Sequence, residues 1–181
     1  MEKARPVSLK EIRIRDNFWD KYRRLVREEI LKYQWCAMND QIEGAPKSHC
    51  IENFRIAAGE KQGEFYGAVF QDSDVAKWLE AVAYTLAEKP DKELKKLADS
   101  VIELIGRAQE PDGYFNTYFI LKEPGQRFRN LREGHELYTL GHMIEAAVAY
   151  KRATGEKRFL EIVQKMADLV ANTFGVEEGK R

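Results

Sequence analysis

Two stretches of the chain, 66 residues apart, spell the same helical hairpin. WLEAVAYTLAEKPDKEL (Trp78 to Leu94) echoes MIEAAVAYKRATGEKRFL (Met143 to Leu160), so that Tyr84 corresponds to Tyr150, Ala87 to Ala153 and Leu94 to Leu160. In each copy apolar residues recur every three to four positions, pass through a short polar turn and resume the same spacing. A single helix pair cannot bury its apolar face alone, so repeated pairs stack into a solenoid or close into an α/α toroid. The predicted fold class is therefore all-α, built of helix-pair repeats.

Four segments carry the pattern. Residues 74–87 put Val75, Trp78, Leu79, Val82 and Leu86 on one face, and residues 91–107, capped by Asp91, align Leu94, Leu97, Val101, Ile102 and Ile105. Residues 133–153 carry Leu137, Leu140, Ile144 and Val148, and a fourth helix from Glu156 carries Phe159, Ile162, Val163, Met166, Leu169 and Val170, with Gly175 placed for its C-terminal cap. Charge divides them. Residues 74–87 bear only Asp74, Lys77 and Glu80, and residues 135–150 only Glu136 and Glu145, whereas eight charged residues lie between Asp91 and Arg107. A charge-poor helix is wrapped by protein and a charge-rich one keeps a wet face, which gives the order inner, outer, inner, outer.

The connections locate a site. Inner-to-outer turns are short (88–90 and 154–155), while the outer-to-inner connections, 38–73 and 110–132, are long. The long ones fall together beside the N-termini of the inner helices, where free N–H groups favour a polar, oxygen-rich ligand. The first reads as irregular chain with Gly44, Pro46, Gly59, Gly63 and Gly67. In the second, two strand-like runs, 114–121 and 126–131, flank Pro124-Gly125 and predict a small β-hairpin over a cavity mouth. Ahead of these, Val7, Leu9, Ile12 and Ile14 suggest a short strand, and Asn17 a cap for a leading helix with Trp19, Tyr22, Val26, Ile30 and Tyr33.

His135 and Glu136 open the second inner helix at that mouth. At 100° per residue His135, Tyr138, His142, Ala146 and Ala149 share one face, opposite Leu137, Leu140, Ile144 and Val148, as a cavity-lining helix requires. His135 is the leading candidate for ligand contact; His142 sits deeper. In Gln71-Asp72-Ser73-Asp74 one carboxylate can cap the first inner helix while Asp72 faces the cavity, and His49 in the first long loop can reach the same mouth. HELYTLGH has Thr139 where a zinc-protease helix needs its second histidine, and no third ligand accompanies the two histidines, so no metal is expected in this chain. Asp112-Gly113-Tyr114-Phe115 combines turn chemistry with aromatic surface that can stack on a sugar or pack in the core.

Composition narrows the partners. Thirty basic and thirty acidic residues cancel, which argues against nucleic acid and anionic membranes as ligands. No apolar run is long enough to span a bilayer, Met1–Pro6 lacks a secretory-type stretch, and only two cysteines, Cys36 and Cys50, fit a reducing, cytoplasmic setting.

Five segments together resemble one family: QWCAMND (Gln34–Asp40), NFRIAAGE (Asn53–Glu60), VFQDSDVAKWLEAVAY (Val69–Tyr84), RAQEPDGYFNTYF (Arg107–Phe119) and HELYTLGHMIEAAVAY (His135–Tyr150). They are similar to the N-terminal part of glycoside hydrolase family 127, the β-L-arabinofuranosidases. The resemblance implies a catalytic (α/α)6 barrel, of which residues 1–181 form the N-terminal portion, and a sugar contact at His135. It further implies retaining hydrolysis of an arabinofuranoside-type carbohydrate by a zinc-bound cysteine nucleophile and a glutamate acid/base. Those catalytic residues lie later in the family's enzymes; neither Cys36 nor Cys50 matches them, so no catalytic residue and no zinc are assigned here. The chain is expected to be inactive alone and to need a complementing chain or further copies of itself. Two other readings are a non-catalytic helical-repeat module binding carbohydrate or protein, and a self-contained glycosidase using a carboxylate pair from Asp72, Asp74 and Glu136.

Overall fold

Asp16, rather than Asn17, starts the first helix: its Oδ1 accepts from the N–H groups of Phe18 (2.8 Å) and Trp19 (2.9 Å). In this computed structural model, which describes residues 7–181, α1 spans Asn17–Leu25 and runs through a wide turn, where the Leu31 N–H reaches back to the Val26 carbonyl, into α2, Leu31–Met38. Met1–Pro6, read above as lacking a secretory stretch, lies outside the described residues. There follow α3 (Cys50–Ala57), α4 (Asp72–Glu88), α5 (Lys92–Ala108), α6 (Thr117–Leu121), α7 (Leu131–Gly134), α8 (Glu136–Thr154) and α9 (Arg158–Thr173). Asp91 caps α5 as expected, accepting from Glu93 and Leu94 at 3.0 Å each. Gly155, at φ 86°, ends α8 in the left-handed region that glycine enters at least cost.

No strand forms among the described residues. The segment expected as an N-terminal strand holds one 3-10 turn, Leu9–Glu11, and Val7, Leu9, Ile12 and Ile14 are all exposed, because no sheet is present for their alternation to bury against. The expected hairpin is also absent. Asn116 instead caps the short α6, and Tyr114, Phe115 and Phe119 are buried, so the aromatic run that reads as strand is core packing. The first long connection is not wholly irregular, since α3 interrupts it with Cys50, Ile51 and Phe54 buried. At the far end Phe174, one residue ahead of Gly175, terminates α9.

The two charge-poor helices α4 and α8 pack along each other. Ala76, Ala83, Ala146 and Ala147 are fully buried, small enough for the two backbones to approach closely. α5 and α9 pack on them and on each other; a Cβ at Gly106 on α5 would come within 3.0 Å of Ile162 Cδ1 on α9. The Tyr150 hydroxyl of α8 donates to Asp99 of α5 at 2.6 Å. Two consecutive helix pairs are thus observed, each a charge-poor helix followed by a charge-rich one. The leading helices join through Trp78, whose indole N–H donates to the Leu31 carbonyl at 3.0 Å while its ring lies 5.2 Å from that of Trp35. Their other side is bare: Phe18, Trp19, Tyr22, Leu25 and Tyr33 are all exposed.

Candidate functional site

The N-termini of α4 and α8 lie at one end, where Lys77 Nζ of α4 sits 5.5 Å from the ring of Tyr138 on α8. A row of rings marks this end. Phe70, just ahead of α4, meets His135 edge-on at 5.4 Å; His135 meets Tyr138 at 5.7 Å, and Tyr138 meets His142 at 4.6 Å. His135 is half-buried and its backbone is left-handed at φ 50°; it is both the C-cap of α7 and the N-cap of α8. His142 Nδ1 lies 3.3 Å from Glu145 Oε2.

His49 occupies the matching position ahead of α3, also left-handed at φ 55°. Its Nδ1 is 3.0 Å from Asp40 Oδ2, while Asp40 Oδ1 accepts from the backbone N–H groups of Ser48 (2.6 Å) and His49 (3.0 Å). The imidazole packs against Tyr66, with ring centres 4.8 Å apart. Asn53 pins the Tyr66 loop, donating to the Tyr66 carbonyl at 2.9 Å and accepting from its N–H at 3.2 Å. Gln71 lies between the His49 and His135 regions. Its amide donates to Cys50 Sγ (3.0 Å) and to Asp74 (3.2 Å), and its neighbour Phe70 touches His135.

Asp72 sits behind this wall. It is 2% exposed, and its two oxygens accept from the N–H (2.7 Å) and hydroxyl (2.6 Å) of Thr117, holding α6 onto α4. It neither caps α4 nor opens to the mouth. Glu136 is equally enclosed, with Tyr114 Oη and the Phe128 N–H donating to its two oxygens. Of the carboxylates considered as a pair, only Asp74 is partly exposed, and it lies 3.5 Å from Lys77. Asp72, Asp74 and Glu136 therefore do not face each other across a shared opening. The α8 face is also rotated from expectation: Ala146 and Ala149 are buried and Leu137 is exposed, because alanines serve the contact with α4.

Burial raises the Asp72 carboxyl to about 7, against the two Thr117 hydrogen bonds that favour its charged form, and raises Glu136 and the Cys50 thiol in the same direction. An acid whose folded pKa exceeds its unfolded value binds more protons when folded. Its stabilising contribution is complete below pH 4 and declines as pH rises to about 7. Asp72→Asn, which cannot ionise, should lose less melting temperature than the parent between pH 4 and pH 7. Parallel melting curves at the two pH values check this, and an unchanged difference would contradict it.

Sequence reasoning missed Glu136 and Tyr114 as a buried pair and Asp40 as the partner of His49. The signal was there for Glu136: a lone acid in the first turn of a helix otherwise wrapped by protein must carry its own donors. Asp40 gave none, since its reach to His49 depends on two left-handed residues. Among the described residues no group of three or more His, Cys, Asp and Glu side chains converges as a metal site requires, so none of those groups fits the zinc implied by the resemblance. A groove of about 750 Å³ does exist, but Leu9, Tyr84, Ile144, Val148 and Arg152 line it. Val148 lies thirteen residues down α8 from His135, roughly 20 Å along the axis, away from the mouth. Among the described residues no helix is long and apolar enough to cross a membrane.

The profile of the β-L-arabinofuranosidase GH127 catalytic domain matches residues 11–181. The non-reducing end β-L-arabinofuranosidase of Bifidobacterium longum subsp. longum is 45% identical over 93% of the chain, which spans 28% of that protein's length. The crystal structure of a GH127 β-L-arabinofuranosidase from Geobacillus stearothermophilus T6 superposes with a TM-score of 0.92 at 64% identity, covering 93% of this chain and 26% of that one. A second GH127 β-arabinofuranosidase superposes at 0.86 with 34% identity, covering 97% of this chain and 28% of its own. The chain thus spans little more than a quarter of the relatives it matches, over nearly all of its own length. By profile, sequence and superposition alike, the chain belongs to the GH127 β-L-arabinofuranosidase catalytic-domain family.

Proposed function

We propose that this chain forms one wall of the sugar pocket of a β-L-arabinofuranosidase-type glycosidase and is inactive by itself. The observation that carries the reading is the row Phe70, His135, Tyr138 and His142 at the shared N-terminal end of α4 and α8. Imidazole and phenol donors beside ring faces suit a neutral sugar, which offers hydroxyls at its rim and C–H groups on its faces. His135 contacts the arabinofuranoside directly, and His49, aimed by Asp40, approaches from the α3 side. Asp72 contributes from behind by holding Thr117 and the α6 loop.

The helix pairs are the first part of an (α/α)6 barrel whose remaining pairs come from polypeptide outside these residues. The exposed apolar stripe along α1 and α2 supports this, because a row of Phe18, Trp19, Tyr22 and Leu25 on one surface calls for a covering partner. The nucleophile, the acid/base and any zinc belong to that remainder, and no step is assigned to them here. Two free thiols, Cys36 and Cys50, support a reducing, cytoplasmic setting. The same stripe also suits the second reading, a non-catalytic helical module that docks on a protein partner.

Assay of the purified 181-residue chain on a chromogenic β-L-arabinofuranoside should give no release above the uncatalysed rate. Appreciable turnover would place a complete catalytic centre within this chain and overturn the proposal.

A further inference from the structure

We propose that Glu136 is a positioning residue: its buried carboxylate fixes the joint between α7 and α8 and thereby aims the His135 imidazole into the mouth. The inference rests on reading His135 as the sugar contact, but its structural half stands on its own geometry.

Glu136 is fully buried, at the first position of α8. Removing a carboxylate from water is costly unless it is hydrogen-bonded. Here Tyr114 Oη donates to Oε1 at 2.5 Å and the Phe128 N–H donates to Oε2 at 2.8 Å, so both oxygens are engaged. The two donors are themselves held. The Arg127 guanidinium lies 4.0 Å from the Tyr114 ring centre and pairs with Glu110 and Asp112. Phe128 presents its N–H from a left-handed backbone at φ 57°, and its carbonyl accepts from Arg181 at 3.2 Å. One side chain of α8 is thus clamped to two separate points of the 110–131 loop.

The residue before it is the one that needs such a clamp. A non-glycine residue at φ 50° is disfavoured and persists only where its surroundings over-determine it. On its N-terminal side, Gly134 is packed so tightly that a Cβ there would come within 3.0 Å of Phe119 Cζ and 3.5 Å of Glu136 Oε2. On its C-terminal side stands Glu136. With both neighbours immobilised, the His135 backbone has one setting, and its ring falls between Phe70 and Tyr138. A ligand contact held in advance of binding avoids the ordering cost that a mobile side chain would incur. Glu136 therefore serves the site without touching it, through the orientation of its neighbour.

The test reads geometry in the 181-residue chain by NMR, using nuclear Overhauser contacts between rings. The chain has three histidines, at 49, 135 and 142, which keeps the imidazole signals few. In Glu136→Gln, and in Tyr114→Phe, which removes only a hydroxyl and changes no charge, contacts from the His135 ring to Phe70 and Tyr138 should weaken at least two-fold. The Tyr138–His142 contact, one turn further along α8, should keep its intensity. Unchanged His135 contacts in a folded variant would overturn the proposal, as would equal loss of the Tyr138–His142 contact, which would mark general loosening. Should Glu136→Gln fail to fold, Tyr114→Phe decides the matter by the same contacts. Loss of His135 orientation in these variants, combined with a reconstituted enzyme indifferent to His135→Ala, would leave the positioning role intact and sink the sugar reading instead.

Discussion

Trp78→Ala should lower the melting temperature of the chain by roughly 10 °C or more. Trp78 is 2% exposed on α4, and its indole both packs against Trp35 and donates to the Leu31 carbonyl. Truncating a buried tryptophan to alanine costs about 3–5 kcal/mol through lost burial and the cavity left behind. Here the Leu31 carbonyl also loses the second of its two donors while keeping its helical one, a further loss of about 0.5–1.5 kcal/mol. In a domain of this size each kcal/mol moves the melting temperature by roughly 2–4 °C. Trp78→Phe keeps much of the ring but not the donor and should fall between the two. A shift below about 3 °C for the alanine variant would mean that α1 and α2 are not anchored on α4 as observed.

Gly113→Ala should cost about 2–4 kcal/mol, out of proportion to one methyl group. Gly113 sits at φ 97°, where an L side chain is strained, and a Cβ there would stand 2.7 Å from the Lys165 carbonyl oxygen and 2.8 Å from its carbon. Those atoms are α9 backbone and cannot swing aside. The loop cannot move away either, because Gln109 Nε2 donates at once to the Gly113 carbonyl (2.7 Å) and the Ile162 carbonyl (2.8 Å). Gly125 is the control: φ is 87°, but no atom lies within 4 Å of a Cβ there. Its alanine variant should show only the backbone strain, about 1 kcal/mol. Urea melts of the two variants compare them directly, and equal destabilisation would remove the close approach of the 110–131 loop to α9 as a feature of the fold.

What could be read from sequence follows from physical range. Helices α4, α5, α8 and α9 announce themselves because their apolar spacing is local and repeats 66 residues apart. The alternation of charge-poor and charge-rich helices was legible because it depends only on charge, which Asp91–Arg107 has in plenty and residues 135–150 lack. The connections were not. Tyr114 and Phe115 alternate like a strand, yet they are fully buried beneath the loop, and the Asn116 cap turns the following residues into helix. Such an outcome is set by distant partners: Asp72 lies 45 residues from Thr117, and Glu136 lies 22 from Tyr114. His135 was a candidate from its place at the start of the second charge-poor helix, but its left-handed backbone and the hydrogen bonds made by its neighbour Glu136 are set by tertiary structure. The resemblance to family 127 rested on five ordered segments, and the profile match over residues 11–181 bears it out.

Reconstitution bears most directly on the proposed role as one wall of a sugar pocket. The chain would be co-expressed with the part of the 64% identical Geobacillus stearothermophilus enzyme that lies outside the matched 26%. Hydrolysis of a chromogenic β-L-arabinofuranoside is expected from the pair and from neither part alone. His135→Ala in this chain should then reduce the pair's turnover by roughly 10²-fold, the scale of losing one well-placed donor. Turnover by the chain alone, or a pair that co-purifies and hydrolyses the sugar equally well without the His135 imidazole, would contradict it.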